Sequence, residues 1–228
     1  MASTLDVDVA PSQRTTALHY PAEGATQRAT TLILAHGAGA PQQHPSMVAF
    51  ARALSERGID VVTFNFLYTE QRRKVPDRMP QLTACYRATI DAVRTAVPSA
   101  RERLFIGGKS MGGRAATHVA ADDRTLLLDG IVLLGYPLHP PGRPEQLRDA
   151  HLPSVARPML FVQGTRDAFG TPSELKPILA SLEPLPTLHH VEGGDHSFKI
   201  AGPDAKTRQA TVYSDIQHTI VDWIHRTG

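Results

Sequence analysis

The chain has a single cysteine, Cys85, so it holds no internal disulfide, and it shows no Cys/His spacing of the zinc-binding kind. A reducing compartment suits it. No apolar run approaches the length of a membrane span, and the first residues lack the basic region and apolar stretch of a secretory signal. The expectation is a soluble, cytoplasmic protein with no membrane partner. Charge of one sign is scarce as well: the formal net charge is +2 over 228 residues, and the basic residues are spread along the chain. That leaves no stripe for nucleic acid. The one basic cluster is Arg72-Arg73-Lys74 with Arg78. Internal repeats, linkers and low-complexity tracts are absent too, and 41% hydrophobic with 20% charged residues suits a single domain over residues 1–228 with one large core.

What is present is an alternation of short apolar runs and amphipathic stretches. Residues 1–12 are polar and predict little order, residues 15–20 suit an edge strand, and residues 21–27 a turn. A continuous apolar run at residues 30–35 reads as a strand covered on both faces, and residues 60–66, the short apolar run from Leu104 into Gly108, and residues 130–135, 158–163 and 187–191 read as further strands. Helical spacing links Met47, Phe50, Ala51 and Leu54, with Gly58 as the stop, and then Leu82, Cys85, Tyr86, Ile90, Val93 and Val97. Cys85 falls on the apolar side and reads as core. Residues 67–80 are a charged, proline-containing loop, residues 174–182 a short helix, and Val212, Ile216, Ile220, Trp223 and Ile224 a closing one. Strands alternating with helices predict an α/β fold, a mostly parallel sheet with helices on both faces. Ligands in such folds bind beyond the carboxyl ends of the strands.

The organising stretch is Leu104 to Arg114, where an apolar run enters Gly108-Lys109-Ser110-Met111-Gly112 and a helical pattern follows. Strand, sharp turn and helix give the Gly-x-Ser-x-Gly pattern mechanical meaning. The glycines remove side chains where the turn is crowded, leaving the Ser110 hydroxyl exposed, and the free N–H groups of the new helix favour negative charge beside it. By itself the pattern equally describes a glycine-rich turn joining a strand to a helix, or one cradling a phosphate.

A serine hydroxyl is a weak nucleophile near neutral pH and needs a base, and the base needs an orienting group. Gly164-Thr165-Arg166-Asp167 follows one strand and Gly193-Gly194-Asp195-His196-Ser197-Phe198 follows the last. The assignment is Ser110 as nucleophile, His196 as base and then acid, and Asp167 as the carboxylate that orients the imidazole. Asp195 is the competing acid, ranked lower because its neighbour in sequence is the histidine itself. Each residue alone also has a plain reading, Asp167 as a turn cap and His196 as a surface residue. Oxyanion donors, commonly worth roughly 3 kcal/mol each, fall to Met111 N–H and to Ala38 N–H in His36-Gly37-Ala38-Gly39, with Gly39 N–H second. His36 reads as a loop-shaping residue bonded to backbone groups, not as a base.

These residues, in the chain order Ser110, Asp167, His196, resemble the α/β-hydrolase superfamily from about residue 30 onward, and among its members the small capless, dienelactone-hydrolase-like enzymes. A narrower likeness rests on Gly107-Gly108-Lys109-Ser110-Met111-Gly112-Gly113-Arg114, on Gly135-Tyr136-Pro137-Leu138-His139-Pro140-Pro141-Gly142, and on the segments around Asp167 and His196. It is similar to a bacterial group related to a mammalian testis-expressed protein and to a subunit of the NSL histone-acetyltransferase complex. The resemblance implies an α/β-hydrolase fold with a minimal lid or none, and no metal or organic cofactor. Dienelactone hydrolases use a cysteine where this chain has Ser110, so their substrate is not carried over.

The stretch between Gly135 and Pro158 is too short for a substantial helical lid, which suits a small-molecule acyl substrate. Tyr136, His139 and Phe198 are candidate substrate contacts, and Arg73 and Lys74, with Arg72 and Arg78, are candidates for favouring an acidic one. The leading expectation is a serine hydrolase acting on a small carboxylic ester or thioester. Amide or peptide hydrolysis by the same residues is one alternative, and a non-catalytic interaction or scaffold module is the other. Monomer and homodimer both fit the sequence.

Overall fold

The computed structural model describes residues 2–24 and 29–227. In it, the apolar runs become β3 (Thr31–Ala35), β4 (Asp60–Phe64), β5 (Leu104–Lys109), β6 (Gly130–Leu134), β7 (Met159–Gly164) and β8 (Thr187–Val191), all parallel to one another. Two further strands, β1 (Ser3–Ala10) and β2 (Gln13–Tyr20), form a hairpin, and β2 joins β4 antiparallel. The sheet has 8 strands in the order β1-β2-β4-β3-β5-β6-β7-β8.

The hairpin corrects two expectations. Residues 3–10 are a strand, because Leu5, Val7 and Val9 alternate with Thr4, Asp6 and Asp8, and this period of two turns one face of the hairpin toward the core. With β1 outside it, β2 is the second strand and not the edge. Part of the turn expected over residues 21–27 lies outside the described residues.

Alternation along the parallel strands fills two layers. Ile33, Ala35, Val62, Phe64, Ile106, Ile131, Leu133 and Phe161 pack with α3 (Met79–Ala96) and α4 (Met111–Asp122), joined by α5 (Pro172–Leu179). Leu32, Leu34, Val61, Phe105, Val132, Leu134, Leu160 and Val162 pack with α1 (Pro45–Ser55) and α6 (Ala205–Arg226). Each such side chain taken fully out of water contributes roughly 1.5–3 kcal/mol before the cost of chain ordering. Cys85 lies in the first layer, where burial pushes its thiol up to about 12 and leaves it unreactive near neutral pH. Tyr86, also fully buried, donates to Gly107 O at 2.7 Å and accepts Gly107 N–H at 3.0 Å. Its hydroxyl thus fixes β5 at Gly107, one residue before the glycine that opens the serine turn.

The expected loop over residues 67–80 contains one helical turn, α2 (Leu67–Glu70), and the start of α3. Between β6 and β7 the chain makes only a short 3-10 turn at Leu152–Ser154, so no lid is built there. Among the described residues, no helix is long and apolar enough to cross a membrane. From β3 the chain passes to β4 on one side, then returns across to β5 on the other. That reversal opens a crevice at the carboxyl ends of β3 and β5.

Candidate active site

Ser110 stands in this crevice as the residue between β5 and α4, with φ 51° and ψ −115°. A non-glycine residue in that region costs on the order of 1–3 kcal/mol, so the surroundings must hold it there. They do so through Ser110 N–H to Leu134 O and Arg114 N–H to Ser110 O, both 3.0 Å. The turn is tight enough that a Cβ on Gly108 would fall 2.6 Å from Ala35 O, and one on Gly112 the same distance from Ala35 O and His36 O. Only glycine allows β3, β5 and α4 to approach so closely.

The three residues assigned from sequence meet beyond the sheet edge. Ser110 Oγ lies 2.8 Å from His196 Nε2, and His196 Nδ1 lies 2.8 Å from Asp167 Oδ2 and 3.0 Å from Oδ1. The chain of partners is consistent with one tautomer: Nδ1–H donates to the carboxylate and Nε2 accepts from the serine hydroxyl. Asp167 is 2% exposed, and its oxygens also accept Gln163 Nε2 at 2.9 Å and Phe169 N–H at 2.8 Å. A buried carboxylate with its lone pairs occupied is fixed in place and stays available to one imidazole. Asp195 is engaged elsewhere, accepting Ser197 N–H and Lys199 N–H at 2.7 and 2.9 Å, so it shapes its own loop.

Gln163 carries no role in the sequence reading beyond closing a strand, yet it knits this site. Its Nε2 donates to Asp167 Oδ2, to Gly170 O at 2.6 Å and to Tyr136 O at 3.3 Å, and its Oε1 accepts Tyr136 N–H at 2.8 Å. A polar residue ending an apolar strand is the signal that points to it. The Phe169 ring lies 4.2 Å from the His196 ring and backs it from the side.

The loop after β3 borders Ser110, since a Cβ on Gly37 would fall 3.5 Å from Ser110 Cβ. Ala38 and Met111 both face the cavity, whereas Gly39, at φ 78°, lines a neighbouring pocket. Among the described residues, the N–H groups of Ala38 and Met111 donate to no other protein group. His36 is fully buried and shapes this loop, with Nδ1 2.8 Å from Gly37 O and Nε2 accepting Phe66 N–H at 3.2 Å. Burial pushes its pKa down to about 4, so the ring is neutral near pH 7.

The cavity over Ser110 has a volume of about 750 Å³. Its wall includes Met47, Leu82, Met111, Pro137 and Phe169, and four cationic side chains, Arg78, Lys109, Arg114 and Arg148. The expected substrate contacts Tyr136, His139, Phe198, Arg73 and Lys74 are not on it. Tyr136 is buried, with its hydroxyl donating to Arg148 O at 2.7 Å, so it supports the wall from behind. His139 is buried between Pro140 O and Glu174 Oε1 and pins the proline turn to α5. Phe198 is buried with its ring 5.6 Å from Lys109 Nζ. Arg73 is held by Asp77 at 2.5 Å, and Arg73 and Lys74 line the neighbouring pocket. Of the basic loop, only Arg78 reaches the cavity. Lys109 Nζ is buried without a hydrogen-bond partner among the described residues, and burial pushes its pKa down to about 8 against the pull of Asp167 and Asp195. No group of three or more metal-ligating side chains occurs among the described residues.

Comparison with known proteins agrees with this architecture. Residues 28–225 match the family described as "Alpha/beta hydrolase domain". Among solved structures, the chain is similar to a lidless α/β serine hydrolase from Xanthomonas campestris (23% identity, TM-score 0.75, covering 97% of this chain and 94% of that one). It is also similar to a dienelactone hydrolase from Anabaena variabilis (20%, TM-score 0.75, 100% and 98%). An α/β serine hydrolase homologue from Coxiella burnetii is a third (17%, TM-score 0.74, 96% of both chains). At these identities the likeness speaks for a common fold. With the family match spanning nearly the whole chain, the protein belongs to the α/β hydrolase domain family.

Proposed function

We propose that the protein is a serine hydrolase that cleaves a small carboxylic ester, or a thioester, through an acyl-enzyme on Ser110. The observation that carries this reading is the unbroken hydrogen-bond chain from Ser110 through His196 to Asp167, on a serine whose backbone is strained to present its hydroxyl. His196 Nε2 takes the hydroxyl proton as Oγ attacks the carbonyl carbon, and the Asp167 carboxylate stabilises the imidazolium that results. Negative charge gathers on the former carbonyl oxygen, to which Met111 N–H and Ala38 N–H donate; each donor lowers the barrier by roughly 3 kcal/mol. Collapse breaks the bond to the leaving alcohol or thiol, which receives the proton from His196. Water then attacks the acyl group with His196 again as base, releasing the acid and restoring Ser110.

The open cavity suits a small or accessible acyl group, and the interlocked Asp167, Gln163 and His196 favour catalysis over a purely scaffolding role. The test is hydrolysis of short-chain methyl and p-nitrophenyl esters by the parent protein and by Ser110→Ala. Turnover by the parent that falls to background in the variant supports the reading. Equal turnover by both removes Ser110 from the reaction.

A further inference from the structure

The cavity holds a second set of groups that hydrolysis alone does not use. Arg114 lies on α4 one turn beyond Ser110, and Arg148 lies on the segment between β6 and β7; both line the cavity beside Ser110 and His196. Four other arginines have carboxylate partners: Arg14 with Asp8, Arg73 with Asp77, Arg87 with Asp123 and Arg103 with Asp129. Among the described residues, the guanidinium groups of Arg114 and Arg148 have neither an ion pair nor a hydrogen bond, and Arg114 Nε is buried in that state. Asp77 is the one carboxylate on the described cavity wall, and it is occupied by Arg73 and by Tyr68 N–H.

Leaving a buried donor unsatisfied costs about 1–3 kcal/mol, and bringing a second positive charge to the same cavity adds repulsion. Burial depresses the Arg114 pKa, and the charge of Arg148 depresses it further against the opposing effect of Tyr136. Both side chains are nevertheless carried on fixed backbone. Arg114 N–H is bonded to Ser110 O, while Arg148 N–H donates to Leu138 O at 2.8 Å and Arg148 O accepts the Tyr136 hydroxyl. Two guanidinium groups on the wall of the cavity that includes Ser110, close enough for one to feel the charge of the other and with no ion-pair partner among the described residues, are a site for an external anion. Guanidinium forks match the planar geometry of a carboxylate.

Resting on the serine-hydrolase reading, we propose that Arg114 and Arg148 form a carboxylate-binding subsite, so that the preferred substrate is an ester that also carries a free carboxylate, such as the monoester of a dicarboxylic acid. The anionic end docks on the two arginines and holds the ester carbonyl over Ser110 Oγ. The hydrolysed product is then a dicarboxylate.

The test pairs two esters of matched chain length, monomethyl glutarate and methyl pentanoate, and measures binding of glutarate and pentanoate by calorimetry with the same proteins. The parent is expected to favour the anionic ester by about tenfold or more in kcat/KM and to bind glutarate more tightly than pentanoate. Arg148→Met and Arg114→Met bring the ester ratio toward unity, and Arg148→Lys, which keeps charge but loses the fork, falls between. A parent that shows no preference for the anionic ester and no tighter binding of glutarate overturns the subsite, as does a preference unchanged in both methionine variants. If glutarate binds through both arginines while neither ester is hydrolysed, the subsite stands and the serine-hydrolase reading falls.

Discussion

The two walls of the cavity contrast sharply. On the side formed by the ends of β7 and β8, the polar groups of His196 and of the buried Asp167 and Gln163 behind it are all engaged, and the network closes on Ser110. On the wall formed by α4 and the segment after β6, the guanidinium groups of Arg114 and Arg148 have no ion-pair or hydrogen-bond partner among the described residues. A satisfied network holds side chains in one arrangement before any ligand arrives, whereas unsatisfied charge is a debt that a ligand can discharge. On the proposed function, the same cavity joins a preorganised reactive side to a side left open for an anion.

The largest break in this contrast comes from loosening the satisfied wall at its acid. Asp167→Asn keeps the size of the side chain but favours the wrong imidazole tautomer, and we expect kcat to drop by ~10⁴-fold with little change in KM. Steady-state kinetics on a short ester read this directly. Next comes Gln163→Leu, which strips partners from Asp167, Tyr136 and Gly170 at once. It should destabilise the fold by about 3 kcal/mol or more, seen as a lowered urea midpoint, and reduce kcat by freeing Asp167.

The smallest effect concerns pH and the β3 loop that flanks the two walls. The pKa of His36 is about 4 in the fold against 6.5 unfolded, so between those values the unfolded chain binds more protons than the folded one. Stability is therefore fully present above pH 6.5 and is lost as pH falls toward 4, by up to ~3 kcal/mol from this residue. His151, pushed down to about 3 chiefly by burial, acts in the same direction. His36→Gln should flatten the dependence of the urea midpoint between pH 6.5 and 5. A slope equal to that of the parent would exclude His36 as its source.

Legibility in the sequence follows the same division. Ser110, Asp167 and His196 are readable because each stands just past an apolar run, where glycines mark the turn, and the alternation of strands and helices brings those turns to one edge. The parallel strands are readable for the same reason. The β1 strand is not, because its alternation is carried by only Leu5, Val7 and Val9 among acidic and small polar residues. Tyr136, His139 and Phe198 mislead because proximity in sequence to a motif says nothing about which way a side chain faces. All three turn inward as supports. Arg114 is legible only as the last residue of the serine motif and Arg148 not at all, since what joins them is a shared cavity wall, and that is visible only in three dimensions.

The most direct test of the central claim is to react the protein with a fluorophosphonate and map the adduct by peptide mass spectrometry. One modified residue, Ser110, is expected, with labelling lost in Ser110→Ala and slowed strongly in His196→Ala. An adduct on another residue, or no adduct on the folded parent protein, would contradict it.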